Sequence, residues 1–412
     1  LLADVERIEV ISGPGGSIWG ANAVNGVINI ITKTAKASQG LYVSAGAGTR
    51  LERMVEARYG GSLGEALSYK IYGLHNRRDH TWLPTGEAHT DRWGISQGGF
   101  SLDWDSADSN KFTIQGNFYS GEDRNDNPSS LDGQNVMGRW THAFSSKSNL
   151  ILQAYVDRTW RHDIGSTIDD ELFTYDLDLQ HNFPIARNHQ IVWGAAYRLM
   201  DDKTHNATEF VGILPNHRQM HVFSSFVQDE IGLLRNLKVT LGAKLEHNSF
   251  SGFEFQPSVR ASFNATEHQL IWAAASRAVR APSRIDVDYH LPVYPVPPTA
   301  PSVAGGPNFT SEKLNAYELG YRIQPKSATS FSLATFYNRY DDLYSVKALP
   351  GTLTYQIQNG VRGYSYGAEI SGNYLLMDGW RFRGGYTYFF KKLKNKPGNI
   401  ADPALLNTLG RD

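Results

Sequence analysis

The sequence lacks three features, and each absence narrows the class of protein. None of its 412 residues is cysteine, which is compatible with export from a bacterial cell. No apolar run approaches the ~18 residues of a membrane-spanning helix, and the mean hydropathy is −0.40, so a helical membrane protein is excluded. A charge excess is also missing: the net charge of −1 gives no reason to expect nucleic acid as a partner. A transmembrane β-barrel remains allowed, because its strands average out as moderately polar.

Alternation of apolar and polar residues is the dominant pattern from residue 41 onward. Apolar side chains occupy every second position in segments such as 173–180 and 191–199. Successive side chains of a strand point to opposite faces, so this period predicts β-strands, about 17 of them over residues 41–390. The side chains that we expect to point outward from the sheet are Phe173, Tyr175, Leu177, Trp193 and Tyr197.

The lengths of the connections carry a second signal. Short turns of three or four residues mostly alternate with longer polar connections. The long connections are residues 77–91, 121–132, 160–169, 201–216, 278–312 and 341–362. Transmembrane barrels have this layout, with short turns at one end and long loops at the other. A soluble β-sandwich or propeller would also show period two but has no reason to separate loops by length, so the layout favours a barrel.

Residues 2–33 contain the most specific motif, LADVERIEVISGPGGSIWGANAVNGVINIITK. Two β-branched runs, residues 7–11 and 27–31, are bounded by glycine and predict short strands. The Gly-Pro-Gly-Gly stretch at 13–16 must turn, because glycine accepts positive φ and proline cannot continue a ladder. On these features alone, the segment is a β-hairpin that any small α+β domain could contain.

The order of the short motifs within residues 2–33 identifies a family more specifically than the hairpin pattern does. Glu6-Arg7-Ile8-Glu9-Val10, Gly13-Pro14, Trp19-Gly20 and the run 26–33 follow one another. This order resembles the closing segment of the plug domain of TonB-dependent outer-membrane receptors. Three later stretches resemble barrel strands of the same family. They are Ser276-Arg277-Ala278-Val279-Arg280-Ala281-Pro282-Ser283, Tyr317-Glu318-Leu319-Gly320-Tyr321 and Gly367-Ala368-Glu369-Ile370.

The resemblance implies an all-β fold: a large antiparallel transmembrane β-barrel with the C-terminal part of a plug domain in its lumen. We expect residues 1–36 to belong to the plug and residues 37–412 to a partial barrel. Large plugged transporters have about 22 strands, so about five are expected beyond residue 412. A signal peptide, the energy-coupling box and most of the plug are expected before residue 1.

The resemblance also implies a function. It predicts a receptor of the Gram-negative outer membrane that binds and actively imports a scarce nutrient, above all a ferric siderophore. The alternatives are cobalamin or another large nutrient, or a passive porin-like barrel. The implied partners are a TonB-type energy-coupling protein of the inner membrane, a small-molecule metal chelate as cargo, and outer-membrane lipid and lipopolysaccharide.

The sequence contains no arrangement of residues that indicates an enzyme. The 13 histidines are scattered. His217 and His221 share a face on a strand but would lie about 13 Å apart, too far for one metal. We therefore expect no catalytic residues, no metal ligands and no cofactor. The acidic loop 121–128, with Asp123 and Asp126, offers carboxylate ligands for Ca²⁺, and a calcium site there is the alternative.

Cargo recognition is expected in the long loops and at the top of the plug. Arginine next to aromatic residues suits an anionic, partly aromatic chelate, although such residues also bind lipopolysaccharide phosphates or form the interfacial aromatic girdle. The candidate cargo residues are Trp19, Arg77, Arg78, Trp82, Trp160, Arg161, Arg280, Arg284 and Tyr289. For Trp19, packing between plug and barrel wall is the alternative role.

Strand parity singles out two glutamates. Tyr317 and Leu319 are expected to face lipid, which turns Glu318 toward the lumen, and Glu369 is turned inward in the same way. A carboxylate partly buried in a plugged lumen needs a partner, because burial of an unpaired charge is costly. The resemblance implies that this partner is a plug arginine, for which Arg7 is the candidate. The alternative is that both glutamates are hydrated lumen residues.

Overall fold

The strands follow one another along almost the whole chain. The computed structural model describes residues 1–107, 109–123, 129–163, 168–206, 212–290, 302–326, 328–351, 354–377 and 379–399. Within these ranges the strands are β1 (Val5–Ser12), β2 (Gly26–Thr32), β3 (Gly40–Gly46), β4 (Leu51–Leu63), β5 (Leu67–Arg78), β6 (Trp93–Ala107), β7 (Asn110–Asp123), β8 (Ser129–Ser145), β9 (Ser148–Asp163), β10 (Ile168–Ala186), β11 (His189–Asn206), β12 (Gly212–Ile213), β13 (His217–Leu234), β14 (Leu237–Asn248), β15 (Gly252–Thr266), β16 (Gln269–Arg280), β17 (Tyr289–His290), β18 (Ser302–Ala304), β19 (Glu312–Lys326), β20 (Thr329–Ala348), β21 (Thr354–Met377) and β22 (Trp380–Asn395).

Helices are few and short. They are α1 (Gly16–Trp19), α2 (Arg284–Asp288) and two 3₁₀ turns, Leu2–Asp4 and Lys36–Ser38. In the described part of the chain, no helix is long and apolar enough to cross a membrane.

One antiparallel sheet, curved into a barrel, contains most of the strands. Ladders join neighbours in chain order from β3 to β11, then β11 to β13, on to β16, and β16 to β19 through β22. The short β18 runs parallel to β21 at the rim. In the described residues this gives 17 long strands and one short one, so the predicted fold class is confirmed.

The outer face of the barrel carries the apolar positions that the alternation predicts. Tyr175, Leu177, Trp193 and Tyr197 are exposed, and Phe173 on the same face is partly exposed. Their neighbours in sequence point inward, as Thr174 does into a polar lumenal recess. Since the apolar side chains are spread over the outside, they form no closed core of their own, and the outward prediction is confirmed.

Residues 1–39, here called the lumenal segment, lie inside the barrel. The strands β1 and β2 form an antiparallel hairpin, with Ile8 opposite Ile30 and Val10 opposite Ile28. The short helix α1 packs against β14, β15 and β16. The 3₁₀ turn at Lys36–Ser38 packs against β4 and β5 and leads directly into β3. The boundary at residues 36 and 37 stays a prediction.

A buried cluster of charges holds the beginning of this segment. The Asp4 carboxylate pairs with Arg58 at 2.7 Å and with Lys70 at 2.6 Å, and all three side chains are largely buried. Lys70 Nζ also donates to the carbonyl oxygen of Lys33 at 2.6 Å. Burial alone would raise the pKa of Asp4, but hydrogen bonds from Lys70 and Arg58 hold the pKa below its ordinary value. Both ends of the β1–β2 hairpin are therefore attached to β5.

The predicted ion pair between Arg7 and the barrel glutamates is wrong. Arg7 Nε donates to Glu9 Oε1 at 2.7 Å, and Arg7 Nη1 lies 3.4 Å from Glu6 Oε1. Glu9 stands two residues further along β1, on the same face, so Arg7 finds a carboxylate without extending to the barrel wall. Among the described contacts, Arg7 pairs only within the lumenal segment.

Both glutamates nevertheless lie on the lumenal face. Glu318 is packed against the turn after β1 of the lumenal segment: a Cβ added at Gly13 would lie 2.6 Å from Glu318 Oε1. Glu369 is on the same face, because it stands opposite Ala334, which stands opposite Gly320. The contact of Glu318 with the lumenal segment is steric, at a glycine whose φ of 81° excludes most other residues.

Candidate functional site

A cavity of about 650 Å³ lies between the end of α1 and one side of the barrel wall. Its floor is the turn at residues 19–22, here called the tip of the lumenal segment. Its walls come from β9–β11, β13 and β14, and its far side comes from the start of the long loop after β16. The lining residues are Trp19, Ala21, Asn22, Arg161, Asp170, Arg198, Met200, Asp202, Ile213, Met220, His221, Val222, Glu246, Asn248, Ser249, Phe250, Ala281, Pro282, Ser283, Arg284 and Ile285.

Hydrogen bonds fix the tip to the wall. The amide of Asn22 donates to the carbonyl of Val279 at 2.8 Å, and the amide of Ala281 donates to Asn22 Oδ1 at 3.0 Å. On the other side, the amide of Ala21 donates to Glu246 Oε2 at 3.3 Å. Gly20 makes this possible: its φ is 83°, and a Cβ there would lie 2.7 Å from Glu246 Oε2. The tip therefore links β14 to the long loop after β16.

Trp19 stands on the cavity floor with 48% of its surface exposed. It ends α1, whose N-terminal residue Gly16 packs against Gln256 and Ala278 of the wall. One side of Trp19 is near Gly15, where an added Cβ would lie 3.0 Å from Trp19 Cδ1. Trp19 therefore contributes exposed aromatic surface to the cavity, and its role in binding stays a prediction.

Arg284 lines the cavity, but its guanidinium is already paired with carboxylates of the protein. Its side chain is 5% exposed and pairs with Asp202 at 3.0 Å and with Asp288 at 3.0 Å. Its remaining terminal nitrogen donates to the carbonyl of Pro215. Arg218 of β13 also pairs with Asp288. These bonds fasten α2 to β11 and β13, so the main effect of Arg284 is to shape the wall.

The guanidinium of Arg280 is also paired with carboxylates of the protein. It pairs with Asp286 at 2.9 Å and with Glu312 at the start of β19. Ser283 caps α2 in a capping box: its hydroxyl oxygen accepts a hydrogen bond from the Asp286 amide, and the Asp286 carboxylate accepts one from the Ser283 amide. Burial would raise the pKa of Asp286, but hydrogen bonds from Arg280 and Ser283 hold the pKa below its ordinary value. Arg280 therefore holds the loop in place, and it is not one of the residues that line the cavity.

Two further cations do line the cavity. Arg161 on β9 stands directly opposite Asp170 on β10, on the lumenal face. Arg198 on β11 pairs with Asp176 of β10 at 2.9 Å. Each of these arginines therefore has a carboxylate on the adjacent strand.

Trp160 was predicted together with Arg161 as a cargo residue, but the structure places the two on opposite faces of β9, and a cargo role of Trp160 stays a prediction. It is the neighbour of Arg161 in sequence, so it points to the opposite face of β9. On that outer face Trp160 stacks on His162, with ring centroids 5.7 Å apart, and Arg158 pairs with Glu171 at 2.6 Å. Trp160 cannot reach the lumenal cavity, and its place agrees with the girdle alternative.

Arg77, Arg78 and Trp82 also lie away from the cavity, near the loop between β5 and β6. Arg77 pairs with Glu52 at 3.0 Å, and the Arg78 guanidinium lies 5.7 Å from the centroid of the Trp93 ring. Trp82 is 69% exposed and contacts His80 edge to face. None of these three residues is among those that line the cavity beside Trp19.

The loop between β5 and β6 is held by its own charges. Arg92 pairs with Asp79 at 2.8 Å. Hydrogen bonds from Arg92 and from the His80 amide lower the pKa of Asp79 to about 2. The Asp79–Arg92 pair thereby joins the two ends of the loop.

Tyr289 lies next to the cavity rather than in its lining. It stands opposite Ile213 in the short β12–β17 pairing, and Ile213 lines the cavity. The calcium alternative rests on Asp123, which ends β7, and on residues 124–128, which lie outside the described residues. In the described part of the chain, no cluster of three His, Cys, Asp or Glu side chains could hold a metal ion.

Sequence reasoning missed several residues of the wall. Glu246 and Asn248 on β14, Met200 on β11 and Met220 on β13 all line the cavity, and so does Phe250 in the tight turn after β14. Glu246 alternates with apolar residues such as Leu245, so it falls on the polar face of β14, but nothing in the sequence singles out that strand.

Comparison with known proteins agrees with this architecture. The family model described as TonB dependent receptor-like, beta-barrel, matches residues 44–408, and the chain belongs to this family, whose members are transport receptors. The iron-regulated outer membrane virulence protein of Vibrio cholerae is 23% identical over 446 aligned positions, covering 98% of this chain and 65% of that protein. The ferric enterobactin receptor of Pseudomonas aeruginosa is 27% identical over 361 positions, covering 70% of this chain and 48% of that protein.

A solved structure has the same fold. The siderophore receptor PirA from Pseudomonas aeruginosa superposes with a TM-score of 0.77 at 20% identity, covering 94% of this chain and 73% of that one. The chain spans less than two thirds of the length of both curated relatives named above. The family and these relatives confirm the predicted location in the outer membrane of a Gram-negative bacterium.

Proposed function

We propose that this protein binds a ferric siderophore in the cavity above the tip and imports it across the outer membrane. The observation that carries the proposal is that the cavity floor belongs to the lumenal segment while its walls belong to the barrel. A bound chelate would contact the lumenal segment and the barrel wall at once. Binding would therefore act directly on the segment that must move to open a channel through the barrel.

The names of the relatives support this cargo class. The Vibrio cholerae protein is iron-regulated, and the Pseudomonas aeruginosa relative is a receptor for ferric enterobactin. The cavity volume of about 650 Å³ falls in the usual range of roughly 300–1,000 Å³ for small-molecule sites. Its lining combines Trp19 and Phe250 with amide and hydroxyl groups, which suits a large chelate with both apolar and polar surface.

Import would need a partner that supplies energy. We propose an inner-membrane protein of the TonB type, which pulls on the plug, with no covalent step at the receptor. The outer face, with Trp160 and the Arg158–Glu171 pair near the loop end, would contact outer-membrane lipid and lipopolysaccharide. A passive porin is disfavoured because the lumenal segment fills part of the channel and is bonded to both β5 and β14.

Uptake of radioactive iron tests the proposal. Iron-starved cells that carry the gene should take up iron from a ferric chelate, and cells without it should not. Deleting the TonB-type protein should abolish uptake while leaving binding at the cell surface. Uptake that continues without it would refute active transport, and cobalamin uptake without iron uptake would refute the cargo.

Trp19→Ala tests the site itself. Loss of one aromatic contact should weaken chelate binding by about tenfold, or ~1.4 kcal/mol, in detergent-solubilised protein. Trp160→Ala, on the outer face, is the matched control and should leave affinity within about twofold. If Trp19→Ala also stays within about twofold, the indole only packs between plug and wall.

A further inference from the structure

The charges that line the cavity cancel. Three arginines, Arg161, Arg198 and Arg284, face three carboxylates, Asp170, Asp202 and Glu246. This differs from the expectation, drawn from clustered arginines in the sequence, that the site suits an anionic ligand.

The positive and negative charges are equal in number, and each arginine also lies beside a carboxylate. Arg284 is bound between Asp202 and Asp288, each at 3.0 Å, and its side chain is 5% exposed. Arg198 pairs with Asp176 at 2.9 Å, and Arg161 has Asp170 directly across the ladder. In the described residues every arginine of the lining therefore has a carboxylate beside it. An anion could recruit one of these cations only by leaving a partly buried carboxylate without its partner, which is costly.

Glu246 contributes a carboxylate near the floor, where it accepts a hydrogen bond from Ala21. A multiply anionic ligand that reached the floor would meet this carboxylate, and repulsion between like charges opposes binding.

The remaining lining suits an uncharged polar molecule. Trp19, Met200, Met220 and Phe250 give apolar surface, and Asn248 adds an amide. Small-molecule sites of this kind combine apolar walls with a few polar groups that fix orientation.

We propose that the cargo is a ferric chelate of net charge near zero, of the tris-hydroxamate class, rather than a multiply anionic tris-catecholate. This inference rests on the proposed function, since it assigns a ligand class to the same cavity. It separates this protein from the ferric enterobactin receptor that it resembles in sequence.

Binding of two iron chelates to the detergent-solubilised protein tests the inference. Ferrichrome represents the uncharged tris-hydroxamates, and ferric enterobactin represents the anionic tris-catecholates. We expect ferrichrome to bind at least about tenfold more tightly. Its affinity should change by less than about twofold between low and high salt, because no net charge is screened.

A charge variant sharpens the test. Asp170→Asn removes the carboxylate opposite Arg161 and should strengthen ferric enterobactin binding by about tenfold, with ferrichrome within about twofold. Glu171→Gln is the matched control: it neutralises the adjacent residue, which pairs with Arg158 on the outer face, and should change neither affinity.

The outcomes separate the two proposals. If ferric enterobactin binds as tightly as ferrichrome, or if Asp170→Asn leaves their ratio unchanged, the charge inference is wrong while the siderophore function stands. If neither chelate binds, the proposed function fails and the inference fails with it.

Discussion

At the short-turn end of the barrel the lumenal segment meets the wall through buried ion pairs, whereas at the long-loop end its tip meets the wall through single hydrogen bonds, none of which joins two opposite charges. Asp4 pairs with Arg58 and Lys70 within 2.7 Å. Asn22 exchanges neutral hydrogen bonds with Val279 and Ala281. Buried ion pairs are costly to break one partner at a time. Single hydrogen bonds contribute less, about 1 kcal/mol each when both groups are neutral and about 1.5–3 kcal/mol when one group is charged, as it is between Ala21 and Glu246.

This difference has a functional consequence. The tip forms the floor of the cavity, so the part of the segment that a ligand contacts is held by the weaker and more geometry-dependent contacts. The Asp4 contact lies at the opposite end and can stay intact while the tip shifts. Three experiments separate the two ends, and they are taken from the largest expected effect to the smallest.

Removing the carboxylate should release the short-turn end. Asp4→Ala leaves Lys70 buried without its partner, and we expect this contact to weaken by about 3–5 kcal/mol. Hydrogen exchange at residues 2–6 and 32–38 should then accelerate by more than about 100-fold, whereas exchange at the tip should change little. Glu6→Ala is the control, since the Glu6 side chain is 52% exposed. Equal exchange in both variants would show that the ion pairs do not hold the segment.

Adding one methyl group at the tip should disturb the long-loop end. In Gly20→Ala the new Cβ would meet Glu246 Oε2, in addition to the strain of a φ of 83°. Strain of this kind costs about 1–3 kcal/mol, so chelate binding should weaken by about tenfold or more. Gly40→Ala is a close control, because Gly40 also has a φ of 83° but nothing lies within 4 Å of its added Cβ. If the two variants bind the chelate with equal affinity, the contact with Glu246 does not determine the position of the tip.

Acid should loosen the short-turn end, to a smaller extent than Asp4→Ala. The pKa of Asp4 is lowered in the folded protein, so its stabilisation is present above the ordinary aspartate pKa of about 3.9 and is lost as the pH falls through the lower folded value. The effect is smaller because a protonated carboxyl still forms hydrogen bonds.

A spin label reports this loosening. Since the sequence contains no cysteine, Glu6→Cys gives a single labelling site near the contact. Label mobility should rise as the pH drops below about 4, and the transition should disappear when Asp4→Asn is added. A transition that persists in the double variant would assign it to another group.

Much of the fold could be predicted because a strand in a barrel wall places each side chain in one of two environments. Tyr175, Leu177, Trp193 and Tyr197 alternate with polar residues, and each one lies on the outer face. The same parity placed Glu318 and Glu369 on the lumenal side. Parity needs no knowledge of distant residues, which is why it succeeded.

The partners of charged residues could not be predicted in this way. Arg7 was expected to cross the lumen to Glu318, but Glu9 on its own strand is closer. Arg280 and Arg284 were expected to face cargo, but they hold α2 through Asp286, Asp202 and Asp288. Trp160 and Arg161 are adjacent in sequence but lie on opposite faces of β9.

The sequence by itself determined that this protein is a lipid-facing barrel with a family-specific segment at residues 2–33, because period two and the order of a motif are local properties of the chain. Only the tertiary structure decided which charges meet and where the cavity lies. Those contacts join residues far apart in sequence, such as Ala21 with Glu246 and Arg284 with Asp202. Their formation depends on the curvature of the sheet and on the depth at which the tip sits, and neither is encoded by a local pattern.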